Sequence, residues 1–286
     1  MPRASVVIPA HNEAAIIGEL LGSLTRERAE ELEIIVVANG CSDDTAAVAR
    51  GFAGVHVIDT PTPGKHNALN LGDDAATVFP RLYVDADVLV TRDDVDRLIE
   101  ALEQPGVMAA APLPELDFAG CNRIVRWFYN VDLVMPSQQT GIGGSGVYGL
   151  SEAGRARFDR FPNLTADDCF VRRLFKEDER VAVRGAKSIV RVPKNVAGLL
   201  AIKTRVHYGN YELAQKHPEL LVNRGARNGP KLARLALNPL WLPAVLTYGY
   251  VKVLARSRAR RRMREQRSDH VWERDDSTRT GQPAVA

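Results

Sequence analysis

Cysteine is scarce: the chain has three, Cys41, Cys121 and Cys169, odd in number and far apart. That excludes a disulfide framework, offers no metal-ligand spacing and fits free thiols in a reducing compartment. A secretory leader is not expected, because the chain enters a strand pattern at Ser5-Val6-Val7-Ile8 with no preceding hydrophobic stretch. The glycine-dense run from 141 to 149 lacks the Gly-Lys-Ser/Thr ending of a P-loop, which excludes that mode of phosphate binding. A strong overall charge is also missing, since 38 basic and 35 acidic residues leave only +3. The basicity is local. Between Lys252 and Arg267 eight basic residues face Glu265 alone, so that stretch carries +7 and the remainder −4. The basic run has neither interleaved aromatics nor a recognised nucleic-acid fold around it, so nucleic acid is not an expected partner.

What is present is a composition, 45% hydrophobic and 26% charged, that supports one large or two closely packed domains. Ser5 to Ala10, Glu33 to Ala38, Val55 to Ile58, Leu82 to Val88 and Val107 to Ala111 read as short apolar strands of the buried parallel kind. Between them, Ile16, Ile17, Leu20, Leu21 and Leu24, then Ala68, Leu69 and Leu71 after Lys65, then Val95, Leu98, Ile99 and Leu102 mark helices. Ser42 is expected to cap the helix that Asp43 and Asp44 open, and Thr91-Arg92-Asp93-Asp94 reads as a capping box. This alternation predicts a mostly parallel, doubly wound α/β sheet. Ligands of such sheets bind beyond the carboxyl ends of the strands, where His11-Asn12-Glu13, Asn39 to Thr45 and Asp85-Ala86-Asp87 fall. The last is the centre of the pattern. In an extended chain Asp85 and Asp87 point to one side, and a hard cation is commonly held by one or two carboxylates plus substrate phosphates. A solvated turn is the plain alternative.

After Pro112 and Pro114 the pattern changes. Ile124, Trp127, Phe128 and Val131 form a helical stripe; the run from 141 to 149 reads either as a bulged strand with glycines at bends or as a ligand-approach loop. Ser151 to Phe158 is expected to be a short capped helix. Thr165-Ala166-Asp167-Asp168 opens another through Val171, Leu174 and Phe175, where paired acids suit a helix N-terminus. Asn238 to Ala255 is apolar apart from Lys252 and includes Trp241, Tyr248 and Tyr250. It falls short of the roughly 20 residues that cross a bilayer, and Pro239 and Pro243 shorten it further. With the basic run behind it, an interfacial helix on an anionic leaflet is expected; the alternative is a core helix followed by a solvated tail.

Five stretches together resemble a known family. They are Val6-Val7-Ile8-Pro9-Ala10-His11-Asn12-Glu13, Val36-Val37-Ala38-Asn39-Gly40-Cys41-Ser42-Asp43-Asp44-Thr45, Gly64-Lys65-His66-Asn67-Ala68-Leu69-Asn70, Tyr83-Val84-Asp85-Ala86-Asp87 and Thr165-Ala166-Asp167-Asp168. In this order, over roughly residues 5–175, they are similar to the inverting nucleotide-sugar glycosyltransferases of family 2, with the GT-A fold. The resemblance implies a Rossmann-like, mostly parallel sheet with flanking helices. It implies a nucleotide-sugar-binding half at 1–111 and an acceptor-binding, catalytic half at 112–215. A helical basic extension at 216–267 and a mobile tail at 268–286 complete the expected division.

Carried over by position, Pro9, Ala10 and Glu13 would line the base and ribose, with Asp85 near the ribose and Asp87 on a divalent cation, Mn or Mg. Lys65 would approach the base or diphosphate. Where the family usually has two aspartates before the glycine of the second motif, this chain has Ala38 and Asn39. An asparagine amide both donates and accepts, so Asn39 is kept as a base contact. Asp168 matches the catalytic base, with Asp167 where a glutamate is commoner; a carboxylate is needed because the acceptor hydroxyl is a poor nucleophile until its proton is taken. In the loosely matching Lys203 to Tyr211, Arg205 is a candidate for phosphate and His207 for the metal. The Gln-x-x-Arg-Trp signature of processive synthases is absent there, which points to single-sugar addition.

The implied activity is metal-dependent, inverting transfer from a nucleoside-diphosphate sugar, a UDP-sugar favoured, to a saccharide or lipid-linked acceptor in cell-envelope or exopolysaccharide synthesis. The implied place is cytoplasmic, peripheral on the inner face of the plasma membrane through residues 238–267. A sugar-nucleotide pyrophosphorylase would want a Gly-rich loop after the first strand, and Pro9 to Glu13 provides none. A non-catalytic sugar-nucleotide sensor on the same fold is the other rival, against which the set Asp85, Asp87 and Asp168 argues.

Overall fold

The computed structural model describes residues 1–27, 29–136, 142–222 and 228–265. Two compact units emerge, one built from Met1–Glu115, Gly141–Asn163 and Leu174–Val190, the other from Leu116–Thr140, Leu164–Arg173 and Arg191–Ala286. Each draws on several stretches of the chain.

In the first unit β1 (Ala4–Ala10) lies between β2 (Leu32–Asn39) and β4 (Arg81–Val84), and β3 (Val55–Thr60) lies beyond β2, all parallel. The crossovers carry α1 (Ile17–Thr25), α2 (Thr45–Arg50) and α3 (Lys65–Ala75). Val6, Val7, Ile8, Ile35, Val36 and Val37 are fully buried, which is why these strands read as unbroken apolar runs. α3 seats closely on β1: a Cβ at Gly72 would stand 2.3 Å from Val7 Cγ1, a separation only glycine permits. Helix α4 (Arg92–Leu102) starts with the expected capping box, Thr91 Oγ1 accepting from Asp94 N at 3.2 Å while Asp94 Oδ2 accepts from Thr91 N at 3.3 Å.

The parallel arrangement stops at β4. β7 (Val147–Leu150) pairs antiparallel with β4, β6 (Ala109–Asp117) with β7, and β5 (Val88–Leu89) with β8 (Arg180–Arg191). The order is β3-β2-β1-β4-β7-β6-β8-β5, so the sheet is mixed rather than mostly parallel. Strands from beyond residue 140 return to it, and such non-local pairing leaves no mark in local periodicity. β6 also runs on past the expected end at Ala111; its register with β7 covers Ala109 and Ala110, so Pro112 and Pro114 fall beyond that pairing. The expected short helix is α6 (Glu152–Arg155), capped by Ser151 Oγ, which accepts from Gly154 N at 3.2 Å. Ser42 is not a cap. α2 begins at Thr45, whose N–H goes to Asp43 Oδ1 at 3.1 Å, while Ser42 N binds Asn12 Oδ1 at 2.7 Å.

The second unit is helical: α5 (Arg123–Leu133), α7 (Asp167–Leu174, up to its boundary), α8 (Val196–Lys216), α9 (Gly229–Ala236) and α10 (Leu242–Arg264). α10 is a core helix on one face. Ala244, Val245, Tyr248 and Val251 are buried with Val125, Phe128, Val131 and Leu199, and the Phe128 and Tyr248 rings stack at 5.2 Å. Its other face leaves Leu246, Tyr250 and Val253 exposed. One face of α10, from Ala244 to Ala259, therefore belongs to the unit's own packing, and no described helix is long and apolar enough to cross a membrane. The expected tail at 268–286 lies outside the described residues, as do Arg267 and Gly141.

Candidate functional site

In the first unit the carboxyl ends of β1 and β2 are tied to each other loop to loop. Asn12 has φ +52°, a left-handed conformation that Asn tolerates because its short polar side chain bonds locally. That side chain accepts from Ser42 N; His11 Nδ1 lies 2.6 Å from Asn39 O, and Glu13 N donates to Thr45 Oγ1 at 2.7 Å. Pro9, Ala10 and Glu13 are buried at this mouth. Asn39, 4% exposed, donates from Nδ2 to Ala10 O at 2.8 Å and accepts at Oδ1 from Gly64 N at 3.0 Å. Its amide bonds backbone on both sides and so fixes where α3 begins relative to β1, while an amide's second N–H and second lone pair are what the expected base contact would use.

Lys65, the first residue of α3, places Nζ 2.6 Å from Asp85 Oδ1. β4 ends at Val84, and Asp85-Ala86-Asp87 is a turn closed by Val88 N donating to Asp85 O at 3.3 Å. The two aspartates are thus delivered by a turn at the strand's carboxyl end, not by extended chain. Asp85 N donates to Gly146 O at 2.8 Å. Gly146 has φ +65°, and a Cβ there would lie 2.5 Å from Val88 Cγ1, so the described part of the glycine run divides into a loop that approaches the Asp85 turn closely at Gly146 and the strand β7. Among the described residues no group of three or more His, Cys, Asp and Glu side chains could hold a metal by itself. Two half-buried carboxylates at a strand end nevertheless suit a hard cation that takes its remaining ligands from phosphate and water.

Asp167, Asp168, Arg205 and His207 belong to the second unit. Asp167 is buried and Asp168 half-buried in the first turn of α7, and Asp168 Oδ1 accepts from Cys169 N at 2.7 Å. The segment before them is held on α8: Thr165 N donates to Glu212 Oε2 at 2.8 Å, and Gly209 faces Ala166, where an added Cβ would come within 2.7 Å of the alanine Cβ. Burial works to raise the Glu212 carboxyl, but hydrogen bonds from Lys216 and Thr165 outweigh it and hold the group below its ordinary value. Arg205 is half-buried on α8. His207 is half-buried on the same helix; burial, then the charges of Lys252, Arg256 and Lys203, push its pKa down to about 4 and keep its ring neutral.

Two buried ion clusters carried no sequence signal. In the first unit Asp73 takes Arg81 and Arg155, each at 2.7 Å, and the Tyr83 hydroxyl at 2.5 Å. In the second, Asp132 takes Lys203 at 2.9 Å and Lys252 at 3.7 Å.

The family profile described as Glycosyl transferase family 2 matches residues 5–153, just over half of the 286, and the chain belongs to that family. Among curated relatives, "Uncharacterized glycosyltransferase EpsJ" of Bacillus subtilis (strain 168) is 30% identical over 125 residues, 42% of this chain and 34% of that protein. The 4,4'-diaponeurosporenoate glycosyltransferase of Staphylococcus aureus (strain MRSA252) is 35% identical over 108 residues, 36% of this chain and 28% of that protein. The chain thus spans about a third of the length of the relatives it matches, 34% and 28%. Two solved structures share the fold. Mannosyltransferase PcManGT from Pyrobaculum calidifontis, in complex with GDP-Man and Mn2+, has TM-score 0.61 at 21% identity, covering 92% of this chain and 75% of its own. Glucosyl-3-phosphoglycerate synthase from Mycobacterium tuberculosis, in complex with Mn2+ and UDP-Glc, has TM-score 0.54 at 21% identity, covering 74% and 78%.

Proposed function

We propose that this chain transfers a single glycosyl group from a nucleoside-diphosphate sugar, a UDP-sugar favoured, to a hydroxyl of a saccharide or lipid-linked acceptor with inversion. The observation that carries the reading is the Lys65–Asp85 pair at 2.6 Å on the turn that also holds Asp87. A cation and two carboxylates at the carboxyl end of a central parallel strand are what a metal-bound diphosphate requires. Pro9, Ala10 and Glu13 would border the nucleoside, and Lys65 and Arg205 would offset phosphate charge. Asp87, with Asp85 beside it, would hold a divalent cation, Mn or Mg, which supplies Lewis-acid stabilisation of the leaving diphosphate. The complexes of the two fold relatives, one with GDP-Man and one with UDP-Glc, both with Mn2+, support a donor of this class.

Asp168 takes the proton of the acceptor hydroxyl as its oxygen attacks the anomeric carbon; the bond to the diphosphate oxygen breaks on the opposite face, and Asp167 keeps a second carboxylate in the same helical turn. Cell-envelope or exopolysaccharide synthesis at the inner face of the plasma membrane, reached through residues 238–267, is the setting that suits a lipid-linked acceptor.

Asp168→Asn should keep donor affinity while transfer slows by about two to four orders of magnitude, the usual span for a positioned base; a normal rate overturns that role. Titrating Mn2+ and a panel of UDP-, GDP- and dTDP-sugars in a thermal-shift assay tests the donor side, because ligand binding to the folded state raises Tm with affinity. Asp87→Ala should remove the Mn2+-dependent shift, and an unchanged shift would place the metal elsewhere.

A further inference from the structure

From Asn228 to Arg264 the chain carries nine basic residues, Lys231, Arg234, Lys252, Arg256, Arg258, Arg260, Arg261, Arg262 and Arg264, and not one acid. In the middle of this stretch α9 gives way to α10 through a turn that holds apolar side chains outward. Asn238 N donates to Leu235 O at 3.1 Å, Trp241 N to Asn238 O at 2.9 Å, and Leu240 N to Asn238 Oδ1 at 3.0 Å. The corner is therefore built rather than loose, and on it Leu237 is 85% and Leu240 89% exposed. Leu242, Leu246, Tyr250 and Val253 continue the exposed apolar surface along α10 at helical spacing, and Arg260, Arg261 and Arg264 extend the same helix. Beside the two leucines a cleft of about 560 Å³ is lined by Lys231, Arg234, Leu235, Leu237, Asn238 and Trp241.

We infer that this corner is a lipid-insertion site: Leu237 and Leu240 enter the acyl layer of an anionic bilayer while the cleft receives one phospholipid headgroup. Contiguous exposed leucines at a fixed turn are costly in water and mark an interaction surface. Cations on both sides, opposed only by Glu265, which pairs with Arg261 at 2.7 Å, select an anionic partner, and apolar tips with a basic surround match the boundary of a bilayer. In the cleft Lys231 and Arg234 meet the phosphodiester, the Asn238 amide can reach its ester oxygens, and Trp241 sits at the amphipathic level that tryptophan favours. The inference deepens the membrane placement proposed above and does not depend on the sugar-transfer chemistry.

The test is co-sedimentation of the full chain with phosphatidylglycerol–phosphatidylcholine vesicles and with phosphatidylcholine vesicles, at low and high salt. Three variants accompany it: Leu237→Ser/Leu240→Ser, Lys231→Glu/Arg234→Glu, and Arg258→Gln/Arg261→Gln. All these side chains are exposed, and an unchanged melting profile checks the fold. The leucine variant should lose about tenfold or more in partitioning on both vesicle types, as removal of buried apolar surface predicts. The Lys231/Arg234 variant should lose binding only on anionic vesicles and only at low salt. The Arg258/Arg261 variant should weaken low-salt binding yet keep the blue shift of the Trp241 emission, assigned by its loss in Trp241→Phe. Wild-type binding that the leucine variant retains overturns the corner while leaving the membrane placement standing. Failure of the wild type to bind any vesicle overturns both. A leucine variant that instead turns a dimer into a monomer would make the corner an interface between copies, against the inference.

Discussion

Each unit buries one aspartate between two cations, and the two solutions differ in what happens to the spare positive charge. Around Asp73 both cations are arginines. Arg81 reaches the carbonyls of Asp73 and Ala76 at 2.9 and 2.8 Å, and Arg155 those of Phe158 and Asp159 at 2.6 and 2.7 Å. The planar guanidinium thus spreads its charge over backbone oxygens while still forking onto the carboxylate. Burial works to raise the Asp73 carboxyl, but hydrogen bonds from Arg155, Tyr83 and Arg81 hold it below its usual range. Around Asp132 both cations are lysines, point charges that lean on ring faces: Lys203 over Tyr129 and Phe128 at 4.7 and 4.9 Å, Lys252 over Tyr248 at 5.2 Å. Lys203 is raised, its burial outweighed by Asp132, whereas burial pushes Lys252 down to about 8 despite the same carboxylate. One carboxylate satisfies one lysine. The second remains a buried charge that the fold tolerates.

The largest effect should come from Asp132→Asn, which leaves two half-buried lysines without the anion they share; a loss of about 3 kcal/mol in chemical denaturation, the low end for a broken buried pair, is expected. Asp73→Asn should cost less, about 1–3 kcal/mol, because both arginines keep their carbonyls. If the second variant proves the weaker protein, the contrast between the clusters is wrong. Lys252→Met sharpens it further. A lysine whose folded pKa of about 8 lies below its ordinary 10.5 binds fewer protons folded than unfolded in that window. Stability should therefore rise as the pH goes from about 8 towards 10, by at most about 3 kcal/mol. Above pH 10 the rise should be opposed by Tyr248, which burial lifts to about 12 from 10.0 and which favours unfolding once its unfolded form ionises. Lys252→Met should flatten the slope between pH 8 and 10 and be neutral or stabilising at pH 7; an unchanged slope would assign the titration to another group.

The same contrast explains what could be read in advance. β1 and β2 were legible because a strand buried on both faces must be apolar at every position, and Thr91 with Asp94 because a capping box is local in sequence. Asp85 and Asp87 were placed correctly at a strand end, but the turn that delivers them rests on Gly146, some 60 residues later in the chain. Neither ion cluster was legible: Asp73 meets Arg155 and Asp132 meets Lys252 across long separations, and each looks like a solvated charge on its own helix. α10 was read as interfacial or core because its composition fits both, and burial divides it by face rather than along its length. The tie that Asn39 makes between the end of β1 and the start of α3 was not legible, because Ala10 and Gly64 lie about 25 to 30 residues away from it in the chain.

That last arrangement bears on how the site can be altered. Because one buried amide spans the end of β1 and the start of α3, the loop at 10–13 and the loop at 61–65 behave as a single exchangeable part. Grafting either loop alone from another family member would strand Asn39 with half its bonds and shift Lys65 against Asp85. Grafting both together with residue 39 moves the register as a block, without reworking the sheet beneath it.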